Sequence, residues 1–460
     1  MSNPSLSPTA PPAWKADVLS LYQRLVPAPF LQRLRQQAEL RQNNRIYTLA
    51  VVLWLMICQW LEGHASLEQA VLELLHGLPA SFWPRPCKRR QAWQSQTASL
   101  SSNTAAYNQA RHRLPLSVVE HCCDHIFEQL TAQTAGVLPA LGRRAFLFDG
   151  TSVQLAPSQA LRQAYPPGSN QHGASHWPLL RMLVAHDLET GLAMRPQWGP
   201  LNGPHTVSEQ HLLEEAIDRL PPASLVVGDA NFGVFSVAYA ASQRGHAVLL
   251  RLTAQRARRL ADEDLREGID RQITWCPSHP DRKKHPRVPK DACVRGRLLV
   301  CRVQPSNQAP SFLLALFTSW DADQQQLLDV YGRRWYIETD LRSLKSTLQL
   351  EELRCTTPDM VAKELDLAMV AYNLVRAVTC LAAQKAGLPP RAYSFTRVRN
   401  VVQAFGPLIT AAPSPEQAQR HFDQMMYYVG QAQLPKRNRK RPSYPRAIWP
   451  RPHSFPLRKE

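Results

Sequence analysis

One stretch of the chain combines acidic, basic and aromatic residues at a helical spacing. The stretch, YGRRWYIETDLRSLKSTLQL, covers residues 331–350. At roughly 100 degrees per residue, a helix places four of its side chains on one narrow face: Tyr331, Arg334, Glu338 and Lys345. Asp340 falls on the opposite side of this helix. The predicted face therefore presents one carboxylate, that of Glu338, beside two cations and an aromatic ring.

Two further acids lie in predicted strands. Asp149 lies within FLFDGTSV, and Asp229 ends the apolar run SLVVGD. Ligands commonly gather at the carboxyl ends of the strands of an α/β sheet. Together with Glu338, these acids could hold two divalent cations about 4 Å apart, an arrangement that clamps the attacking and leaving oxygens of a phosphodiester displacement. Their hard oxygen ligands favour Mg²⁺, and Arg334 and Lys345 suit flanking phosphates.

The elements that must position these acids follow an α/β order. From Arg144 the patterns predict three strands in antiparallel succession, then a helix, a strand, a helix and a strand. The turn signal DLETG joins the second and third strands. Thr206 lies three residues before Glu209, a capping-box spacing ahead of the first helix. Residues 252–320 contain three short strand candidates, RQITW, GRLLVCRV and SFLLALFTSW, and predict a β-rich insertion.

The four residues of the helical face match the spacing Tyr-x2-Arg-x3-Glu-x6-Lys without a mismatch. This spacing resembles the signature of the DDE transposases of bacterial insertion sequences, and within them the family named for insertion sequence four. The resemblance covers roughly residues 100–450. It implies a ribonuclease H-like α/β core, interrupted by a β-rich insertion before the Glu. The helical patterns on either side add helical N- and C-terminal regions to this core.

The resemblance also implies roles for individual residues. The catalytic residues and metal ligands that it implies are Asp149, Asp229 and Glu338, which would hold two Mg²⁺ ions that Mn²⁺ can replace. The residues that it implies for contact with DNA near the cut are Tyr331, Arg334 and Lys345. The family also uses a Trp of the insertion to steady a flipped base. Trp275 and Trp320 are both candidates, and no motif decides between them.

Other acids and possible metal ligands have simpler explanations. Asp187 lies in the DLETG turn, where an Asp side chain stabilises the backbone. Three more acids are predicted to be solvated charges: Asp340, Glu351 and Glu352. The spacing of one further group matches no compact zinc site and predicts a surface loop: Cys276, His279, His285 and Cys293. Nine scattered cysteines predict a reducing compartment without a disulfide framework.

The composition of the chain indicates which kind of partner it binds. A formal charge of +18 and a pI near 9.8 favour a polyanion, and DNA above all. The apolar run over residues 46–61 is shorter than a membrane span of about 20 residues, so it predicts a buried helix. The first residues carry no secretory signal pattern. We therefore expect a protein that stays inside the cell, and the resemblance implies the bacterial cytoplasm and association with the nucleoid.

These patterns divide the chain into six predicted regions. They are a helical DNA-binding region (1–140), the first part of the core (141–251), the insertion (252–320), the second part of the core with the Glu338 helix (321–356), a helical C-terminal region (357–434) and a basic tail (435–460). The tail holds nine Lys or Arg against one Glu, and its prolines forbid a regular helix. The segment WPRPCKRRQAWQSQTASLSSNTAAYNQARHRL of the first region interleaves Arg and Lys with Trp and Tyr, which suits either DNA contact or a solvated linker.

The resemblance implies a transposase that binds the terminal inverted repeats of its element and cuts DNA by metal-dependent hydrolysis. The freed 3′ hydroxyl ends would then be joined to target DNA. Because two ends must be paired, we expect a dimer on double-stranded DNA. Two alternatives stay open: a nuclease of the same fold without strand transfer, and a DNA-binding relative that has lost catalysis. The intact set of three acids argues against the second.

Overall fold

The N-terminal part of the described chain is helical. The computed structural model describes residues 18–40, 45–78, 82–83, 85–134, 141–170, 173–285, 288–304, 310–410 and 412–435, so the predicted basic tail lies outside the described residues apart from Pro435. The helices that precede the sheet are α1 (Val18–Leu25), α2 (Ala28–Gln37), α3 (Leu49–Leu61), α4 (Leu67–His76), α5 (Lys88–Gln94), α6 (Ala105–Arg113) and α7 (Leu116–Gln133). The apolar helix α3 is buried within the protein, as predicted.

The segment that interleaves cations and aromatic rings contains two helices, α5 and α6. The Arg90 guanidinium lies 4.3 Å from the ring centres of both Trp83 and Trp93, and Arg90 is buried. These two rings are therefore held against a cation inside the protein.

Nine strands within the described residues form one mixed sheet, and two short strands form a separate hairpin. The strands are β1 (Ala145–Leu155), β2 (Ser169–Asn170), β3 (Gly173–Ala174), β4 (Leu179–Asp187), β5 (Gln197–Pro200), β6 (Leu225–Gly228), β7 (Ala247–Arg251), β8 (Asp270–Trp275), β9 (Val294–Val303), β10 (Phe312–Thr318) and β11 (Glu352–Leu353). The sheet order is β5-β4-β1-β6-β7-β10-β9-β8, with β11 paired to β1. The neighbours β5, β4 and β1 are antiparallel, whereas β1, β6 and β7 are parallel.

The remaining helices connect and follow these strands. They are α8 (Gln159–Ala164), α9 (Glu209–Ile217), α10 (Phe235–Gln243), α11 (Ala254–Ala261), α12 (His279–Lys284), α13 (Gln324–Gly332), α14 (Tyr336–Arg342), α15 (Pro358–Ala386), α16 (Phe395–Thr410) and α17 (Pro415–Gly430). The architecture is thus α/β, with a central sheet and helical regions before and after it.

The three strands predicted between residues 252 and 320 are present and extend the central sheet. β10 pairs with the edge of β7, β9 with β10, and β8 with β9, all antiparallel. This pairing satisfies the backbone groups that β7 would otherwise leave open at the edge of the sheet. Between β8 and β9, part of the predicted surface loop is the short helix α12, which Ser278 and Asp281 begin with a capping box.

The capping box predicted for α9 is wrong. Ser208 caps this helix, because its side chain accepts a hydrogen bond from the backbone N–H of His211. The hydroxyl of Thr206 instead donates to the carbonyl of Leu201 at 2.8 Å. Thr206 and Ser208 are both good capping types, so the spacing to Glu209 could not decide between them.

The stretch predicted as one helix over residues 331–350 is helical but irregular. α13 is followed by a 3-10 turn (Arg333–Trp335), then α14, then a π turn (Ser343–Thr347). A constant rotation of about 100 degrees per residue therefore does not hold across it. The common face predicted for Lys345, which lies in the π turn, therefore no longer follows from a regular helix.

The long helix α15 forms the centre of the C-terminal region. The Thr357 side chain caps its start by accepting from the N–H of Met360, and Gly387 ends it in the left-handed conformation (φ 63°). Among the described residues, α15 is the one helix that is long and apolar enough to cross a membrane, yet 94% of its apolar window is buried inside the protein. Because α15 packs against α3 and α7, it serves as a core helix.

Candidate active site

Two predicted acids meet at the carboxyl edge of the parallel strands. The last paired residues of β1 and β6 are Leu147 and Val227. Asp149 and Asp229 each follow two residues later. Since both strands rise by the same distance per residue, Asp149 and Asp229 lie at the same height along the strand direction. Beyond this point β1 continues beside β4, where Asp149 is paired with Val184.

The environment of Asp149 is dominated by burial and by other acids. Burial raises its pKa to about 6, and the charges of Asp229 and Glu209 raise it further. The Gly150 N–H donates to Asp149 Oδ1 at 2.8 Å, and this bond and the charge of Arg334 lower the pKa. Asp149 therefore lies among acids that repel its charge, and the charge of Arg334 offsets part of this repulsion.

Asp229 is oriented by the turn that follows β6. Its Oδ1 accepts from the backbone N–H groups of Asn231 at 2.9 Å and of Phe232 at 3.4 Å. Its carbonyl accepts from the N–H of Gly233 at 2.9 Å. These bonds set the direction of the carboxylate before any ligand is bound.

Glu338 lies on α14, near but not within this pair of acids. Its side chain is 55% exposed, and its Oε1 lies 3.9 Å from Arg334 Nη2. Across the part of the chain that the structure describes, no three His, Cys, Asp or Glu side chains are grouped closely enough to hold a metal ion. The structure thus brings Asp149 and Asp229 together and leaves Glu338 apart, with Arg334 interacting with both Asp149 and Glu338.

Tyr331 and two arginines line the same edge. Burial raises the pKa of Tyr331, the charges of Arg334 and Arg251 lower it, and the charge of Asp229 raises it. Tyr331 is therefore mostly buried and lies among Asp229, Arg334 and Arg251. Lys345 is half-buried in the π turn.

Asp340 is not the solvated charge that the sequence predicts. It is fully buried and accepts from Arg376 Nη2 at 2.6 Å and from Arg391 Nη1 at 2.6 and 2.7 Å. The Tyr372 hydroxyl also donates to it at 3.2 Å. Burial opposes its charge, but Arg391 and Arg376 outweigh this effect and hold its pKa below the usual value. Asp340 thus anchors α14 to α15 and to the segment after it.

The remaining candidates have structural positions. Asp187 lies in its turn as predicted, where Oδ1 accepts from the N–H groups of Glu189 at 3.1 Å and Thr190 at 2.7 Å. Trp275 and Trp320 are buried. Trp275 packs edge-on against the core residues Phe235 and Phe317.

The sequence patterns did not identify three residues that lie near the two aspartates: Glu209, Asn231 and Arg251. Glu209 begins α9, where an acid has an ordinary explanation in the helix dipole. Asn231 follows Asp229 in a turn, where Asn is common. Arg251 ends the buried strand β7, and a cation at the carboxyl end of a buried strand is the one signal that could have identified it.

The chain is similar to known transposases in sequence. The family described as "Transposase DDE domain" matches residues 140–374. The transposase InsG for insertion sequence element IS4 of Escherichia coli (strain K12) is 23% identical over 449 residues, which cover 95% of this chain and 93% of that protein. A cryo-EM structure of the piggyBac transposase synaptic complex with hairpin DNA aligns with a TM-score of 0.41 and 11% identity, over 90% of this chain and 85% of that chain.

Proposed function

This chain is a member of the family of transposases with a DDE domain, whose match covers about half of its length, and we propose that it moves an insertion sequence by cutting and joining DNA. In this proposal it binds the terminal inverted repeats of its element, hydrolyses phosphodiester bonds with divalent cations and transfers the 3′ hydroxyl ends to target DNA. The observation that carries the proposal is that Asp149 and Asp229 each lie two residues beyond the last paired residues of two adjacent parallel strands, with Arg334 near Asp149.

Asp149, Asp229 and Glu338 are the proposed catalytic residues and would hold two Mg²⁺ ions, which Mn²⁺ can replace. Carboxylate oxygens are the hard ligands that Mg²⁺ prefers. The repulsion that raises the pKa of Asp149 is of the kind that a bound cation relieves. When bound, such ions supply an activated water and stabilise charge on the scissile phosphate. Glu338 is exposed on α14, so in this proposal it completes the ligand set when DNA and ions assemble.

Arg334, Lys345 and Tyr331 are the proposed contacts to terminal DNA. Arg334 interacts with both Asp149 and Glu338, so a phosphate held by its planar guanidinium would lie beside the proposed ligands. Arg251, near Tyr331, adds a second guanidinium at the same rim. This convergence of cations supports the binding of a polyanion there.

The ribonuclease H-like core is part of the same proposal. Its support is the order of elements, in which three antiparallel strands (β1, β4, β5) are followed by α9, β6, α10 and β7. β6 and β7 lie parallel to β1 on its other side. This order agrees with the core that the family resemblance implies, interrupted before the Glu338 helix by β8, β9 and β10.

The proposed partner is double-stranded DNA, both as terminal repeats and as target. The formal charge of +18 supports it, because Lys and Arg gain affinity by releasing counterions from phosphates. We propose a dimer in the DNA complex, since two ends must be held together. We propose that it acts in the bacterial cytoplasm, at the nucleoid, because the proposed substrate DNA lies there.

A joining assay tests this function. A pre-cut terminal duplex of the element and an unrelated supercoiled plasmid are incubated with the protein and Mg²⁺, and covalent joining of the 3′ end is measured on a denaturing gel. We expect joined product from the wild type and none from Glu338→Gln. Nicking without joining would identify a nuclease of the same fold, and DNA binding without either would identify a relative that has lost catalysis.

A further inference from the structure

Glu209 connects β1 near Asp149 with the turn after β6 that contains Asp229. It is the first residue of α9, and its Oε2 accepts a hydrogen bond from Asn231 Nδ2 at 2.6 Å. The backbone N–H of Asn231 donates to Asp229 Oδ1 at 2.9 Å. A chain of two hydrogen bonds therefore runs from Glu209 to the carboxylate of Asp229.

The other oxygen of Glu209 lies against β1. A Cβ atom built on Gly150 would overlap with the Glu209 carboxylate. Only glycine leaves room for this acid directly beside Asp149. The closeness is also electrostatic, because the charge of Glu209 raises the pKa of Asp149. Glu209 thus touches the backbone next to one aspartate and the turn that orients the other.

Asn231 is held from its opposite side by the neighbour of Glu209. Gln210 Nε2 donates to Asn231 Oδ1 at 3.0 Å and to the Asn231 carbonyl at 2.9 Å. Since the amide oxygen is occupied by this donor, the amide nitrogen is the group left to face Glu209. Lys284 Nζ, from α12, donates to Gln210 Oε1 at 3.0 Å. The contacts therefore extend from the strand ends into the segment between β8 and β9.

We propose that Glu209 is a positioning residue that fixes the separation of Asp149 and Asp229 by clamping the Asn231 turn against the backbone of β1 at Gly150. The inference rests on the proposed function, because it assigns those two aspartates to a metal site. A role limited to the start of α9 would need only a negative charge near its first turn. Such a role would explain neither the hydrogen bond to Asn231 nor the need for glycine at position 150.

The test is the affinity of the full-length protein for Mn²⁺ alone, measured by water-proton relaxation without DNA. Outer partners that orient metal ligands typically contribute 10- to 100-fold in affinity. We expect Glu209→Ala to weaken binding about tenfold or more, and Glu209→Gln, which keeps an acceptor for Asn231, to stay within about threefold of wild type. Asn231→Ala should weaken binding similarly, and the double variant Glu209→Ala/Asn231→Ala no further, because both remove one clamp.

The matched control is Glu215→Ala, which removes an exposed acid from the same helix and should leave Mn²⁺ affinity unchanged. Wild-type affinity in Glu209→Ala would overturn the proposal. Equal loss in Glu209→Ala and Glu209→Gln would also overturn it, in favour of a direct role for the charge. Asp149→Asn distinguishes a failure of the Glu209 proposal from a failure of the proposed function. If this variant binds Mn²⁺ like the wild type, the assignment of Asp149 to a metal site is wrong. Melting temperatures on the same preparations show that each variant is folded.

Discussion

Asp149 and Asp340 are the same residue type in opposite environments. Asp149 has a single backbone donor at 2.8 Å, is near two other acids, and has a pKa raised to about 6, chiefly by burial. Asp340 is buried with two arginines that hold its pKa low. An acid that other acids repel, at the carboxyl ends of parallel strands, is a candidate functional residue. An acid that is fully paired with arginines in the core stabilises the fold.

The raised pKa of Asp149 gives a prediction for stability in the absence of metal. The folded pKa lies near 6 and the unfolded value near 3.9, so the charged form penalises the folded state above pH 6. The penalty fades as the pH falls towards 4. We expect Asp149→Asn to raise the free energy of unfolding by about 1 kcal/mol at pH 7.5, with the gain shrinking as the pH approaches 4.5. Urea unfolding at several pH values, with chelator, measures it.

The control for this prediction is Asp291→Asn, an exposed aspartate of the segment between β8 and β9. It should change stability by less than about 0.5 kcal/mol at either pH. A gain in Asp149→Asn that does not depend on pH would show that the charge of Asp149 is not its source.

Arg334 allows a second prediction at the scale of the residue. Arg334→Lys keeps the charge but loses the planar, two-pronged contact with phosphate. We expect single-turnover cleavage of terminal DNA to fall about tenfold or more, with the melting temperature and end binding close to wild type. Arg342→Lys, an exposed change at the end of α14, is the matched control. Parallel loss of stability, binding and cleavage in Arg334→Lys would mean that it only supports the helix.

At the scale of the element, α14 is docked through several buried contacts. Arg391, which holds Asp340, also donates to the carbonyls of Leu188 at 2.9 Å and Asp187 at 2.8 Å. Arg333, just before α14, forms an ion pair with Glu189 at 2.7 Å. The turn after β4 and the start of α14 are therefore tied together, which fixes the helix that presents Glu338.

These contacts predict that substitutions at two acids of α14 have different effects, one on stability and the other on cleavage. Asp340→Asn leaves two buried guanidiniums without their carboxylate, and breaking a buried pair in this way costs about 3 kcal/mol or more. We expect Glu338→Gln, which changes an exposed acid, to leave the free energy of unfolding within about 0.5 kcal/mol of wild type while abolishing cleavage. Denaturant unfolding and cleavage on the same preparations measure both. A stable Asp340→Asn protein would show that the network contributes little to the fold.

The sequence predicts elements better than the contacts between them. The apolar runs located β1, β6 and β7, and the order of strands and helices followed from them. The burial of Asp340 did not follow, because its partners Arg376 and Arg391 lie 36 and 51 residues away. No local pattern reports such pairs. The closeness of Glu209 to Asp149 also depends on packing across the sheet edge, and the catalytic assignment of the acids stays a prediction.

At the scale of the whole molecule, charge dominates the expected behaviour. The chain carries 54 Lys and Arg against 36 Asp and Glu, and nine of the cations lie within the predicted basic tail, residues 435–460. We expect deletion of these residues to weaken binding to all DNA sequences alike and to make its salt dependence shallower, because phosphate contacts carry little sequence information. Titration of specific and random duplexes at several salt concentrations measures it. An unchanged salt slope would show that these residues do not contact DNA.

A change of metal specificity tests whether the three carboxylates hold the catalytic cations. Asp149, Asp229 and Glu338 are each replaced by Cys, and cleavage of terminal DNA is measured in Mg²⁺ and then in Mn²⁺. Mg²⁺ needs oxygen ligands, whereas Mn²⁺, a transition metal, tolerates sulfur. We predict that each Cys variant is inactive in Mg²⁺ and regains cleavage in Mn²⁺, while the matching Ala variants stay inactive in both. A Cys variant that cleaves normally in Mg²⁺, or one that Mn²⁺ does not restore although it binds DNA and folds like the wild type, would contradict the assignment of that residue.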